Sequence, residues 1–491
     1  MVEAAFRSDA GKDDDNTDLE QEGVVFGKTG TYKFDFVVTG EIERNNYIQV
    51  RHHEHGWLLA YVNEVQIQTD LSDGGAKRIG AGEEIQFERS DIGHASVIGF
   101  PDGKGGMSQP GTPVAPGSRV FRASDELISS TLGLNNRKNG AFIGHLRGRN
   151  IPVVLDINVM VQKHVSVMAK TGGGKSYLAG VIIEEMIKNG VTVVILDPHG
   201  EYGTLRERRS AADASCDYPG IVREFAFDTE INSGASKMLL TLSNFTPQEL
   251  LSLTSFRESR QHLMLLTAVM EEAKSGGSCD LRMIAEKLDS ADSQYSKQLA
   301  SELRSIDGTG IFVTEGTKIT EMVVQGKTTV LNLKGTSPEL QSLFVKRMLT
   351  ALFELRKRKK IPPLLAVLEE AHNFCPQQGK TDASRIIRTI ASEGRKFGLG
   401  LMVITQRAAK VDKNVISQCN TQFILKITNP IDLKVVYSSI EGLTQEIVEE
   451  VPRLQTGVCI GIGGGLQLPM IIEVRERETV HGGDSTNVVN G

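Results

Sequence analysis

Two patterns of apolar and polar positions divide the chain. Between residues 23 and 105, short segments alternate apolar and polar positions and are separated by Gly, Asn and Asp. Several short alternating strands with frequent turns predict a small antiparallel β-barrel. Residues 106–150 begin with a stretch rich in Gly and Pro, which indicates a linker or long loop.

From residue 151 to 475, continuous apolar runs replace the alternation. The runs VTVVILD, LLAVLE and LMVIT are typical of strands that are buried on both faces of a parallel sheet. Helical patterns separate several of the runs, so this region is predicted to be an α/β domain with a parallel sheet. Residues from about 235 to 305 are mostly helical in pattern and are predicted to be an insertion in that domain.

Composition and charge limit the class of protein. The chain has 491 residues, of which 40% are hydrophobic and 24% are charged, which excludes a collagen-like or globally disordered protein. The formal net charge is -6, and residues 9–22 alone carry seven acids against one lysine. Residues 1–22 are therefore predicted to be a disordered acidic tail, and residues 476–491 a polar C-terminal tail. A basic channel elsewhere stays compatible with this net charge.

The sequence also gives an expectation about location. Five scattered cysteines without a CxxC pair indicate reduced thiols, and no run of 18 apolar residues or apolar leader is visible. We therefore expect a cytoplasmic protein that has no membrane contact of its own.

The clearest motif is Ala169–Ser176, AKTGGGKS, which follows an apolar strand and opens a helix. It differs from the P-loop pattern only by Ala at the first position, and a chance Gly-rich turn is the weaker alternative. Such a loop surrounds phosphates with backbone amides, and Lys175 would reach the β- and γ-phosphates of ATP while Ser176 holds Mg²⁺. The predicted nucleotide-contacting residues are Thr171, Gly172, Gly173, Gly174, Lys175, Ser176 and Tyr177.

A second motif is the apolar run 364–368 followed by Glu369 and Glu370, which matches a Walker B strand. Ligands bind at the carboxyl ends of parallel strands, so Glu369 would lie near Mg²⁺ and Glu370 would be the general base for water. An ordinary strand-to-helix junction is the alternative for this pair taken alone. Beside a P-loop, the two acids favour an ATPase with its own catalytic carboxylate over a small switch GTPase.

A third apolar run ends in Gln406 and Arg407. Gln406 could sense the γ-phosphate or orient the attacking water, and a capping residue is the alternative. Hydrolysis also needs positive charge on the transferred phosphoryl group, which a neighbouring subunit often supplies as an arginine. Arg395 and Arg407 are both candidates, and solvated side chains are the alternative for each.

Together these motifs resemble the HerA family of hexameric DNA translocases, in the HerA/FtsK group of P-loop ATPases. The N-terminal strands resemble the HAS barrel of that family, and the resemblance covers roughly residues 23–475. The segment DPHGEY is its most family-specific part. The matching segments are Ala169–Ser176, Asp197–Tyr202, Leu368–His372, Gly394–Gly398 and Thr405–Arg407.

The resemblance implies a RecA-like P-loop ATPase core and a homo-hexameric ring with ATP between subunits. It also implies double-stranded DNA in the central channel and a NurA-type nuclease partner in DNA end resection and recombinational repair. Lys175, Glu370 and an arginine from the next subunit, Arg395 first and Arg407 second, would carry catalysis. Three further residues would lie near the nucleotide or the subunit interface without assigned roles: Asp197, His199 and Glu201.

Two other functions stay open at this level. A related conjugative or secretion motor ATPase would use the same core on another track, although no membrane segment is visible. A nucleotide-gated scaffold that regulates a nuclease would need ATP binding but no base such as Glu370.

Two clusters have both a structural and a functional interpretation. The basic run 356–360 follows an amphipathic pattern, so favourable charge at a helix C-terminus is preferred over a DNA contact. The histidines at positions 52, 53 and 55 could bind a metal, but neighbouring strand positions point to opposite faces, which makes this the weaker interpretation.

Overall fold

The computed structural model describes residues 19–482, except 104–105, 135–139, 211–215, 276–279, 292, 380, 441–442 and 444. The chain divides into two compact units, Met1–Asn135 and Asn136–Gly491. Most of the predicted acidic tail and residues 483–491 lie outside the described part. The tail boundary is too late, because the first strand begins at Gln21 and Glu22 is fully buried.

The first unit is an antiparallel barrel of six strands that closes where the second strand pairs with the fifth, with a short additional strand attached to the fifth. This confirms the predicted barrel. Two helices accompany it, α1 (Asp73–Gly80) and α2 (Asp125–Leu132). The strands are β1 (Gln21–Phe26), β2 (Lys33–Val38), β3 (Tyr47–His52), β4 (Gly56–Thr69), β5 (Arg89–Pro101), β6 (Met107–Ser108) and β7 (Arg119–Arg122).

Alternation places the inward side chains of the barrel. Phe34 and Phe36 are both buried, while the intervening Asp35 is half-buried. Gly93 lies opposite, and a Cβ there would be 2.3 Å from the Phe36 ring. A glycine is therefore needed in β5 to make room for the aromatic core.

The histidine cluster lies in the turn between β3 and β4. Its possible ligand atoms, from His52, Glu54 and His55, lie within 4.8 Å of one another. However, His52 Nδ1 accepts the Glu54 amide proton at 3.2 Å, and its Nε2 lies 3.1 Å from the Thr112 carbonyl oxygen. Both ring nitrogens are already used, which favours a hydrogen-bonded turn over a metal site.

The second unit contains a twelve-stranded sheet, in the order β13-β12-β16-β11-β17-β18-β10-β19-β20-β21-β8-β9. The eight strands from β13 to β19 are parallel, and the remaining four continue the sheet antiparallel. The strands of this unit are β8 (Gly140–Leu146), β9 (Pro152–Asp156), β10 (Val165–Met168), β11 (Thr192–Asp197), β12 (Val222–Ala226), β13 (Ser236–Lys237), β14 (Leu240–Thr241), β15 (Phe312–Val313), β16 (Thr328–Asn332), β17 (Leu364–Leu368), β18 (Leu399–Thr405), β19 (Thr421–Ile424), β20 (Val458–Ile462) and β21 (Met470–Val474).

Helices cover this sheet and form the predicted insertion, which is confirmed as α6–α9 between β14 and β15. Helix α8 illustrates why the insertion is helical, because its buried residues recur every three to four positions, at Leu281, Ile284, Ala285 and Leu288. The helices of this unit are α3 (Ile157–Gln162), α4 (Lys175–Lys188), α5 (Tyr218–Ile221), α6 (Pro247–Leu251), α7 (Arg260–Ser275), α8 (Leu281–Asp289), α9 (Gln294–Asp307), α10 (Ile319–Met322), α11 (Pro338–Lys357), α12 (Ser384–Phe397), α13 (Lys413–Ser417), α14 (Pro430–Ser439) and α15 (Gln445–Glu450). Within the described residues, none of the helices has the length and apolar character needed to span a membrane.

The structure corrects the predicted linker, residues 106–150. Strand β7 lies inside this range and completes the barrel between β1 and β3. Strand β8 also begins inside it and pairs with β21 of the second sheet. The Gly- and Pro-rich segment at the start of the range concealed these strands, of which β7 has only four residues.

The predicted C-terminal tail also needs correction, because residues 475–482 pack against α4. Arg475 lies 2.9 Å from Glu184 and 2.7 Å from Glu185, and both glutamates are buried. Arg477 is only 3% exposed, and its guanidinium lies against Gly180, where a Cβ would be 2.5 Å away. We call residues 475–482 the C-terminal segment.

The basic run 356–360 ends α11. Arg356 donates to the carbonyl oxygens of Phe397 and Ile361, and the Lys357 ammonium lies over the Phe353 ring. These contacts favour a structural role at the helix C-terminus.

Candidate functional site

The carboxyl ends of four parallel strands meet at one edge of the large sheet. Strand β10 leads into the Gly-rich loop, β17 into the two glutamates, and β18 into Gln406 and Arg407. Strand β11 ends at Asp197. Because β18 lies between β10 and β17, its polar end lies between the loop and the glutamates. Open α/β sheets bind ligands at this edge.

The loop from residue 169 to 174 depends on its glycines. Gly172 and Gly174 have φ of 70° and 90°, which side chains rarely adopt. A Cβ at Gly173 would be 2.9 Å from the Lys170 carbonyl oxygen. Ala169 is buried, its amide donates to the Thr405 carbonyl oxygen at 3.3 Å, and it is not among the residues of positive φ, so this position does not require a glycine. The loop ends directly at the N-terminus of α4.

Lys175 lies between the two glutamates. Its Nζ is 2.7 Å from Glu369 Oε1 and 3.2 Å from Glu370 Oε1. Burial alone would lower the pKa of Lys175, but the charges of Glu369, Glu370 and Glu201 outweigh it and raise that pKa. Burial raises the pKa of the fully enclosed Glu369 to about 7, although Lys175 acts in the opposite direction.

The DPHGEY segment wraps around Asp197. This buried carboxylate accepts the backbone amides of His199, Gly200 and Tyr202, and its burial raises its pKa despite these bonds. The Tyr202 hydroxyl then donates to Glu369 Oε2 at 2.6 Å. Asp197 therefore shapes a turn that places Tyr202 on Glu369, while the side chain of His199 is exposed.

Glu370 has a strained backbone, with φ of 49°. His372 Nδ1 lies 3.2 Å from Glu370 Oε2 and 3.1 Å from Thr405 Oγ1. Burial works to raise the pKa of Glu370, but His372 and Lys175 outweigh it and leave this pKa below its usual value.

The residues after β18 separate into two groups. Thr171 of the loop donates through its hydroxyl to Gln406 Oε1, so Gln406 is part of the site. Arg407 follows it and is exposed. Arg395 is exposed near the C-terminus of α12, which directly precedes the amino end of β18. Within one chain, Arg395 thus lies at the edge of the sheet opposite the loop.

The donor set fits Mg²⁺. Hard oxygen donors are what this ion prefers, and the Ser176 hydroxyl in the first turn of α4 belongs to the same edge as Glu369. In addition, Glu201 carries a buried carboxylate oxygen, Oε2, for which the described residues provide no hydrogen bond. A cation would compensate such an oxygen.

Tyr202, His372 and Thr405 lie within the family-like segments of the sequence, but no pattern there assigns them a role. Their signal was position, since each lies at or just after the end of a strand. The sequence also indicates no role for Arg477, whose backbone amide donates to the Tyr177 hydroxyl at 2.8 Å. Nothing in the polar sequence of the C-terminal segment predicts that contact.

The fold and the site define a P-loop ATPase class of protein. A solved structure, VirB4 of Thermoanaerobacter pseudethanolicus, shares this fold, with a TM-score of 0.51 and 15% identity over 69% of this chain and 97% of that chain. The family model described as "Helicase HerA, central domain" matches residues 141–352.

Two relatives extend this match over most of the chain. One is "DNA double-strand break repair helicase HerA" of Pyrococcus furiosus, 29% identical over 93% of this chain and 90% of the relative. Another is "Probable DNA double-strand break repair helicase HerA" of Methanocaldococcus jannaschii, 27% identical over 95% of this chain and 97% of the relative. The chain is thus similar to HerA helicases over most of its length, and residues 141–352 match the central domain of that family.

Proposed function

We propose that this chain is an Mg²⁺-dependent ATPase that drives a homo-hexameric ring along double-stranded DNA. The observation that carries the proposal is the position of Lys175, within 3.2 Å of both Glu369 and Glu370 at the end of the Gly-rich loop. One cation beside two acids is the arrangement that brings phosphate, metal and water together.

The residues divide the chemistry among them. Backbone amides of the loop and Lys175 bind the β- and γ-phosphates. Ser176 and Glu369 would hold Mg²⁺, which would supply positive charge against the phosphate oxygens. Glu370 takes the proton from the attacking water, and its lowered pKa keeps it ionised for that role. Gln406 and Thr171, which contact each other, orient the γ-phosphate of ATP.

The names of the relatives, which describe DNA double-strand break repair helicases, support a role in DNA repair. We infer that the ring acts in DNA end resection and recombinational repair together with a NurA-type nuclease. A cytoplasmic location fits the thiols, since Cys216, Cys375, Cys419 and Cys459 are free.

The test measures ATP turnover with and without duplex DNA at several salt concentrations. Duplex DNA should stimulate turnover, and its affinity should fall steeply with salt because phosphate contacts release counterions. Lys175→Ala should abolish turnover, whereas Lys297→Ala, an exposed lysine in α9, is the matched control. Wild-type turnover in Lys175→Ala would refute the site.

Glu370→Gln separates binding from chemistry. This variant should still bind ATP, while turnover falls by about 10²–10⁴-fold because the general base is lost. Unchanged turnover would show that the base lies elsewhere. ATP binding with no hydrolysis in the wild-type protein would favour a nucleotide-gated scaffold instead.

A further inference from the structure

The two acids after β17 are held in different ways. Glu369 has Lys175 on one oxygen and Tyr202 on the other. Glu370 has Lys175 on Oε1, and its Oε2 is a buried atom for which the described residues provide no hydrogen bond of good geometry, while His372 Nδ1 faces it at 3.2 Å. His372 is thus the described side chain that contacts this second oxygen.

His372 is itself held by β18. Its Nδ1 lies 3.1 Å from Thr405 Oγ1, and Thr405 Oγ1 accepts the backbone amide of Arg407 at 3.0 Å. A carboxylate only accepts hydrogen bonds, so the imidazole binds Glu370 only if Nδ1 carries the proton. With the proton there, the hydrogen bond to Thr405 Oγ1 fixes the plane of the ring, and Nδ1 presents its positive edge to Glu370 Oε2.

Glu370 depends on side-chain contacts to hold its carboxylate in place, because its backbone conformation is strained. A non-glycine residue with φ of 49° is strained by about 1–3 kcal/mol, and such strain persists only where neighbouring contacts hold it. The side chain is 4% exposed, so solvent does little to orient it. The contacts from Lys175 and His372 define where the carboxylate points.

We propose that His372 is a positioning residue that aims the Glu370 carboxylate, and that Thr405 in turn aims His372. The proposal rests on the ATPase function proposed above, with Glu370 as the base. If so, the end of β18 serves hydrolysis in two ways. The Thr405 hydroxyl holds His372, and Gln406 contacts the Gly-rich loop.

The experiment compares the ATP kinetics of His372→Ala, His372→Asn and Thr405→Val. A misaimed base lowers the rate without weakening phosphate binding, so His372→Ala should reduce kcat by about 10- to 100-fold. KM for ATP should stay within about threefold. His372→Asn should recover much of the loss, because an amide nitrogen can donate from nearly the same place as Nδ1.

Thr405→Val preserves shape and removes only the hydroxyl. Its matched control is Thr389→Val, since Thr389 is half-buried on α12 and, among the described residues, its hydroxyl bonds the Arg385 carbonyl oxygen of the same helix. Thr405→Val should lower kcat, and combining it with His372→Ala should add little, because both changes break one chain of contacts. Thr389→Val should leave kcat unchanged.

The outcomes separate this proposal from the proposed function. Unchanged kcat in His372→Ala, while Glu370→Gln is inactive, overturns the positioning role and leaves the base in place. Equal loss in His372→Asn and His372→Ala, at unchanged melting temperature, also overturns it. If His372→Ala fails to fold, the kcat of Thr405→Val against Thr389→Val decides. Full activity of Glu370→Gln would instead refute the assignment of the base.

Discussion

At the scale of single residues, the site depends on the buried carboxylate of Glu369, which has only two described side-chain partners, Lys175 and Tyr202. Glu369 is fully buried, and removing an ionised carboxylate from water is costly unless hydrogen bonds and an opposite charge replace the water. Lys175 supplies the charge and Tyr202 supplies a hydroxyl proton. Each partner therefore contributes to stability as well as to the geometry of the site.

Tyr202→Phe tests this contribution. The change removes one hydroxyl and leaves Glu369 Oε2 without its donor, so the free energy of unfolding should fall by about 1–3 kcal/mol. Tyr218→Phe is the matched control, because the Tyr218 hydroxyl bonds Glu478, which is 19% exposed and also paired with Lys188. Urea unfolding should show the smaller loss for the control, and equal losses would contradict the argument.

At the scale of elements, the sequence pattern predicts much of this fold. Continuous apolar runs identified β11, β17 and β18, because buried parallel strands require them. The Gly-rich loop and the two acids could be placed at one edge of the sheet because the carboxyl ends of parallel strands meet there. This part of the site was visible because its residues follow the strands directly.

Other elements escaped prediction for physical reasons. The four-residue β7 is too short for its alternation to stand out from the Gly- and Pro-rich residues before it. The C-terminal segment is polar, and it is buried through charge pairing with Glu184 and Glu185, which carries no periodic signal. His372 and Thr405 meet only because β17 and β18 are neighbours in the sheet.

Three elements meet at His164, which gives a prediction about acid stability. His164 precedes β10, accepts the Leu401 amide of β18 at Nδ1 and bonds the Ala391 backbone of α12. Burial lowers its pKa from 6.5 to about 4. Between these values the unfolded chain binds a proton that the folded chain does not, so stability falls as pH drops from 6.5 to 4 and levels off below.

Because the pKa of His164 falls from 6.5 to about 4, acidification over this range should lower the free energy of unfolding by about 3 kcal/mol. Urea unfolding of the wild-type protein and His164→Gln at pH 6.5 and pH 4 measures it. The variant should start less stable but lose less on acidification, whereas the exposed control His53→Gln should follow the wild type. Equal acid losses in His164→Gln and the wild type would contradict the prediction.

At the scale of the whole molecule, one question is how separate chains complete the site. Arg395 lies at the sheet edge opposite the Gly-rich loop of its own chain, whereas Arg407 is exposed beside that loop. The first can serve the site only from a neighbouring subunit. The proposed ring therefore predicts that two inactive variants complement each other.

Mixing Arg395→Ala subunits with Lys175→Ala subunits tests this. At equal amounts, roughly a quarter of the sites in a closed ring would combine an intact Lys175 with an intact neighbouring Arg395. ATP turnover should then recover in part, while each variant alone stays inactive. No recovery at equal ring assembly would remove Arg395 from the role, and the same mixture with Arg407→Ala would test the second candidate.

The pairing of β8 with β21 joins segments that are more than 300 residues apart in the chain. During synthesis, β8 and α4 leave the ribosome long before β21 and the C-terminal segment can cover them. The buried faces of Glu184 and Glu185 stay without their arginines for that whole interval. The helix that follows the Gly-rich loop is therefore completed late. A ribosome that stalls before residue 475 should hold a chain in which α4 is still exposed to aggregation and to chaperones.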